Sequence, residues 1–443
     1  MCKQSASSGS ARDWSSATRW ATGLTCLIAL SGCSTDGGGS KPGNGAGTGG
    51  LGDAGGPSVT AGTGGGATAT GGGAGEGIGG TGGSGTGGSS SSVLGGLNFF
   101  PADDENIQYS GRVDFTKPKE PKFSAPGVSI TTKFNGTQVG FKLKAGGNAN
   151  YYAAVVDDRE PVIIRATLAG EFMVAKDLPA GDHLLTIHKR SEAKNGSGIF
   201  FGIATDGKLI APPAKPTRKI EIIGDSISAG DGMLGPNNSD GCNQQKTPWG
   251  TMHDAPNTYG AVLSRALKAE YHITAVAGIG LIRNYDSFDA RPMPAVYDLV
   301  FTQNKEATPV WDHKKFIPDA VIINLGTNDF SPGSSPRPYM TVEEFVPAMK
   351  TFYTKLRGYY ADASFFFVSS PMLDDGWPDG QPSLTNQETA LQQVVTDLKE
   401  DNVFYFDIGS YGKGCGTHPD VSEHAEMADK LGAFIGEKMG WTE

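Results

Sequence analysis

The sequence predicts an α/β fold built on a parallel sheet, preceded by an all-β, jelly-roll-like sandwich. Two changes of pattern along the 443 residues carry this reading. Between Asn98 and about Ala214, short apolar runs alternate with polar residues at period two, the mark of half-buried strands. Beyond the proline-rich join APPAKPTRK (residues 211–219), the runs become apolar throughout and are separated by helical stretches, as in a parallel sheet covered on both faces. A third observation separates both units from what precedes them. Most of the glycine excess lies between about residues 37 and 96, in a stretch with too little apolar content to offset the entropy of ordering it.

The N-terminal elements come first. Arg19 precedes a short apolar stretch, Ala21 to Leu30, which ends Leu30-Ser31-Gly32-Cys33. A basic flank and a short apolar core predict a secretory signal over residues 1–32, not a membrane span. The ending resembles the bacterial lipobox, in which cleavage leaves the cysteine lipidated; an ordinary signal that happens to carry a cysteine is the alternative. Residues 33–97 then read as a disordered Gly/Ser tether running from a membrane-held Cys33. The anchor is the only membrane contact expected, because no run of about 18 apolar residues occurs. A net charge of −10 without a lysine or arginine cluster argues against a nucleic-acid partner. Cys2 and Cys26 leave with the signal. Cys242 and Cys415 remain as an even pair in an exported chain, either bridged or present as two buried thiols.

The sandwich, residues 98–214, reads as about eight strands with no helical period. Asn135-Gly136, between the runs VSITTKF and TQVGFKLKA, is expected to be the turn of a hairpin. In the α/β unit, residues 215–443, the strands are IEIIG, HITAVAG, AVIINLG, SFFFVSS and VFYFDIG. Helices are predicted near 256–269, 341–361 and 385–400, with a last one after Pro419. In such sheets ligands bind at the carboxyl ends of the strands, so the residues there bear the chemistry.

Gly224-Asp225-Ser226 follows the first strand, where a tight turn exposes a serine hydroxyl and a backbone N–H. Such a serine can equally be a helix cap, and Asp225 reads as shaping the turn. Gly278 follows the second strand, able to present a backbone N–H to an oxyanion or simply to turn the chain. Asn328, in Gly-Thr-Asn-Asp after the third strand, can aim its amide at developing charge or form an Asx-turn. His418 stands between a glycine-rich loop and a helix that starts Asp420-x-x-Glu423. His424 reads as a packed helix residue, and no metal site is completed around the two histidines. Trp249 and Trp377 lie in loops after strands, as sugar-stacking rings or as loop anchors.

These four motifs, in this order and each at a strand end, resemble the SGNH (GDSL-type) hydrolase superfamily over roughly residues 219–443. The resemblance implies a three-layer, flavodoxin-like sheet. It makes Ser226 the nucleophile, Gly278, Asn328 and the Ser226 N–H the oxyanion donors, and His418 the general base. The segments IQYSGRVDF, HKRSEAKNGSGIFFGI, NTYGAVLSRAL, AGIGLIRNY and GCGTHP resemble carbohydrate esterase family 2, which joins a jelly roll to an SGNH domain and removes acetyl groups from polysaccharides. The resemblance implies an acetylated carbohydrate substrate such as xylan or glucomannan, with no cofactor; no metal is expected, and the chain is expected to act as a monomer. One position departs from the superfamily. The aspartate that usually stands three residues before the histidine is Cys415 here, so the site reads as a Ser-His dyad with a backbone carbonyl holding the ring. The alternatives are a lipase-like esterase, a sugar O-acetyltransferase, and a non-catalytic glycan-binding lipoprotein.

Overall fold

The computed structural model describes residues 92–146, 150–236, 242, 248–286, 291–303, 309–335 and 337–441. The signal segment, Cys33 and the glycine-rich stretch up to residue 91 lie outside the described residues.

Two six-stranded antiparallel sheets form the sandwich. One orders Val113–Asp114, Lys122–Phe123, Gly198–Thr205, Val139–Ala145 and Ala169–Ala175, with Asn98–Pro101 also paired to Gly198–Thr205. The other orders Lys208–Ile210, Ser129–Gly136, Gly181–Lys189, Asn150–Val156 and Val162–Ala166, with Ile107–Ser110 paired to Ser129–Gly136. Period-two alternation decides which face each residue takes. Ile130 and Phe134 of one strand and Leu185 and Ile187 of its neighbour point into a core with Phe141, Tyr152 and Phe200. The same alternation puts Lys189 on the buried side, and its ammonium donates to the carbonyls of Ser191 (2.7 Å) and Glu192 (2.9 Å).

The structure corrects two expectations here. Asn135-Gly136 is not a hairpin turn, because the strands on its two sides belong to different sheets. A two-residue hairpin of the favoured type needs positive φ at both central residues, and neither has it. Asp206 instead accepts from the Thr137 and Gln138 N–H groups (2.8 and 3.0 Å) and draws the chain across to the second sheet. Order also begins before Asn98. Ser92–Leu97, assigned by sequence to the tether, make a turn that buries Leu94 and gives the Ser92 hydroxyl to Glu171 (2.5 Å).

The α/β unit is a five-stranded parallel sheet ordered Ala269–Ala275, Arg218–Gly224, Ala320–Asn324, Ser364–Val368, Val403–Phe406. All five strands overlap the predicted apolar runs, although the second begins three residues earlier than its run, at Ala269, where the sequence predicts the end of a helix. Successive residues serve opposite faces. Ile220, Ile222, Ile322 and Phe366 pack with helices Tyr259–Ala266 and Val421–Met439. Ile223, Val321, Ile323 and Phe365 pack under helices Val342–Tyr359 and Ser383–Leu398. The first strand lies between the second and the third, so its carboxyl end is the point where the winding of the sheet reverses, the usual place for a ligand crevice.

Candidate active site

Ser226 opens a one-turn helix, Ser226–Ala229, at that reversal point. Asp225 caps it, accepting the Ile227 N–H at 3.0 Å. Burial pushes the Asp225 carboxyl up to about 7, the hydrogen bond from Ile227 opposing it only in part. The turn closes through Asp231, whose N–H donates to the Ser226 carbonyl (3.0 Å).

Gly278 follows the second strand with φ +74°, a left-handed conformation that side chains other than glycine's rarely take. The loop after it is shaped by Asp329, whose carboxylate accepts the N–H groups of Leu281 (2.8 Å), Ile282 (2.7 Å) and Arg283 (3.0 Å). Asn328 reaches across from the third strand. Its amide donates to the Ile279 carbonyl at 2.8 Å and lies 3.4 Å from the Asp225 carboxylate. One amide hydrogen is therefore committed to Ile279, and the other has only the long contact. The Asn328 side chain thus connects the loops that carry Ser226 and Gly278.

His418 ends a single 3₁₀ turn, Cys415–Thr417, in which both Gly416 and Thr417 are left-handed. That turn brings the Cys415 carbonyl to 2.9 Å from His418 Nδ1. A carbonyl only accepts, so Nδ1 carries the proton and the Nε2 lone pair is left. Nε2 is buried and has no hydrogen-bond partner among the described residues. The loop is held from three sides. Cys415 N–H donates to the Gly232 carbonyl (2.8 Å), and Gly414 N–H donates to the His418 carbonyl (2.7 Å). Glu423 caps the following helix with Asp420 and also accepts the Lys413 N–H (2.8 Å). Cys415 is bonded to Cys242. Gly232 packs so closely that a Cβ there would stand 2.4 Å from the Cys415 carbonyl oxygen.

Four polar residues at the site carry no motif of their own. Asp231 is buried with its carboxylate against His253 Nε2. Burial alone would raise the Asp231 carboxyl, but the charge interaction with His253, reinforced by His418, holds it below the usual range. His253 Nδ1 accepts the Glu192 N–H (3.1 Å) from the sandwich. Asp329 stands inside the quoted Gly-Thr-Asn-Asp motif, and that is the one signal that pointed to any of the four. His424 turns away from the cleft. It is fully buried, accepts the Tyr259 N–H at 3.2 Å and stacks on the Tyr259 ring.

Along the loop that leads to His418, a cleft of about 660 Å³ is lined by Pro371, Leu373, Trp377, Tyr411 and Thr417, while Ser226, Gly278, Asn328 and His418 themselves do not line it. Trp377 is 61% exposed there. Trp249 is instead half-buried, edge-on to His253.

Comparison with known proteins agrees with this architecture. Residues 109–213 match the family described as carbohydrate esterase 2 N-terminal, and residues 220–431 match GDSL-like lipase/acylhydrolase. A family two carbohydrate esterase from Clostridium thermocellum, solved in complex with cellohexaose, is 31% identical with a TM-score of 0.67; the match covers 76% of this chain and 100% of that one. A cellulase/esterase from Acetivibrio thermocellus is 34% identical over 349 residues, 76% of this chain, which spans only 40% of that longer protein. An acetylxylan esterase/glucomannan deacetylase from Cellvibrio japonicus is 26% identical over 77% of this chain and 91% of its own length. With a sandwich in front of a GDSL-type sheet and a full-length match to a solved member, the chain belongs to carbohydrate esterase family 2, a family of carboxylic ester hydrolases.

Proposed function

We propose that this chain is a serine esterase that removes acetyl groups from O-acetylated plant-type polysaccharide, such as xylan or glucomannan. The observation that carries the proposal is the state of His418. Its Nδ1 proton is engaged by a backbone carbonyl, and its buried Nε2 is left as a base with no other partner among the described residues. In this reading Ser226 attacks the acetyl carbonyl as Nε2 takes its proton. The tetrahedral oxyanion is met by the Ser226 and Gly278 N–H groups and the remaining Asn328 amide hydrogen. His418 then returns the proton to the departing sugar oxygen and activates water to release acetate. The cleft along the loop that leads to His418 receives the sugar, with Trp377 as a stacking face. The relative named for acetylxylan and glucomannan supports the substrate class. Lipidation of Cys33 would hold the enzyme at a membrane while it works on polymer outside.

The test is acetate release from acetylated xylan and acetylated glucomannan. Wild type is expected to release acetate, and Ser226→Ala to release none while melting at the wild-type temperature. Acetate appearing on an added sugar acceptor instead of in solution would favour a transferase. No turnover of any acetyl ester would overturn the reading.

A further inference from the structure

The sandwich sends one turn into the hydrolase half. After strand Gly181–Lys189 the chain runs through Arg190, Ser191 and Glu192 into a single 3₁₀ turn, Ala193–Asn195. Arg190 Nε donates to Asp254 (3.0 Å), and the Arg190 carbonyl accepts the Ala255 N–H (3.0 Å). Lys189 holds the turn from below through the Ser191 and Glu192 carbonyls. Ala193 supplies the apolar packing, fully buried in the cluster that includes Val276 and Ile279.

Glu192 does something different. It is 3% exposed, and a carboxylate there costs more than an apolar side chain of similar size unless its oxygens are accepting hydrogen bonds. Burial pushes its carboxyl up, as does the nearby Asp231 charge. Yet Oε2 accepts the N–H of Ala277 at 3.3 Å, the residue directly before Gly278, in the peptide one earlier than the one that carries the Gly278 N–H. The backbone N–H of the same residue donates to His253 Nδ1, whose other nitrogen meets Asp231, and Asp231 ties back to the Ser226 carbonyl. Two residues on, the Lys194 ammonium lies 3.5 Å from where a Cβ on Gly278 would stand. Glu192 is thus where a chain of contacts from the nucleophile turn meets the peptide leading into the oxyanion glycine. A glycine N–H without restraint at the preceding peptide can rotate, and donors of this kind act only when fixed in advance.

We propose that Glu192, contributed by the β-sandwich, is a positioning residue of the esterase centre: its carboxylate holds the Ala277 peptide and so aims the Gly278 N–H at the oxyanion. This rests on the esterase reading above. The residue does not touch substrate and acts through Gly278.

The experiment compares Glu192→Ala, Glu192→Gln and Glu192→Asp with wild type and Ser226→Ala on a soluble aryl acetate. Reactive serine is counted in each preparation by the amount of fluorophosphonate bound at saturation. Glu192→Ala is expected to lose at least about tenfold in kcat per titrated serine with KM within about twofold. Glu192→Gln keeps an acceptor at the right reach and is expected to stay within about threefold of wild type. Glu192→Asp keeps the charge but withdraws the acceptor, and is expected to fall with the alanine variant; it serves in its place if alanine does not fold. Wild-type kcat per titrated serine in both Ala and Asp variants would overturn the proposal, as would a loss in Gln equal to that in Asp. If Ser226→Ala itself keeps turnover, the esterase reading fails instead, and the two failures are told apart.

Discussion

At the scale of single residues, the proposed mechanism divides the site into groups that do chemistry and groups that hold them. Asn328 is already half engaged, with one amide hydrogen on Ile279. Asn328→Ala should therefore lower kcat by roughly 10²-fold, as loss of an oxyanion donor does, and a change confined to KM would show that it contacts only ground-state substrate. Asp225 is a structural acid with a measurable signature. Its carboxyl is raised from 3.8 to about 7 in the fold. Between those two values the folded state binds the extra proton, so this group's contribution to stability is full below the lower value and is lost as pH rises through the upper one. Asp225→Asn removes that dependence and keeps an acceptor for the Ile227 N–H. From about pH 5 to pH 8 its melting temperature should gain on wild type, and parallel curves would show that Asp225 is not held protonated. Ser226, Gly278, Asn328 and His418 could be picked out in the sequence because each closely follows a recognisable strand or precedes a capped helix. Glu192 and His253 could not. Their partners are 61 and 85 positions apart in the chain, and no periodicity or spacing connects a sandwich turn to the second strand of a later sheet.

At the scale of elements, the continuous apolar strands and the capped helices of the sheet domain were readable because burial on two faces leaves little freedom of composition. The sandwich was less so. Asn135-Gly136 has hairpin chemistry, but Asp206, far along the chain, draws it into a crossing between sheets. Local propensity yielded to a tertiary hydrogen bond. The His418 loop shows a similar dependence on distant chain. Its Cys415 end is bonded to Cys242 across a sequence separation of 173, and its carbonyl is the partner of Nδ1. A closure of that length is worth up to about 5 kcal/mol by chain entropy. Reduction, or Cys415→Ser, should lower the melting temperature and lower kcat more than it raises KM. Full activity in reductant would restrict the bridge to stability alone.

At the scale of the whole molecule, the sandwich and the sheet domain share buried polar contacts. Arg112, on the sandwich side, pairs with Glu221 in the first parallel strand at 3.0 Å, and both are almost fully buried. Glu221 also accepts from Thr274 (2.8 Å) and Tyr297 (2.7 Å). Removing one member of such a pair leaves a buried charge alone, so Arg112→Met should cost about 3–5 kcal/mol in denaturant unfolding. A loss under about 1 kcal/mol would mean that the two hydroxyls suffice for the carboxylate. The turn carrying Glu192 has a consequence for anyone who cuts and grafts this protein. The proline-rich join after Ile210 looks like a natural seam, yet the sheet domain lifted out there would lose the acceptor for Ala277, the donor to His253 and the counter-charge of Glu221 together. Swapping the front half for a different module would thus amount to removing internal supports of the sheet domain. A transferable cassette has to keep the sandwich and the sheet domain together, starting no later than Ser92, whose hydroxyl already bonds Glu171.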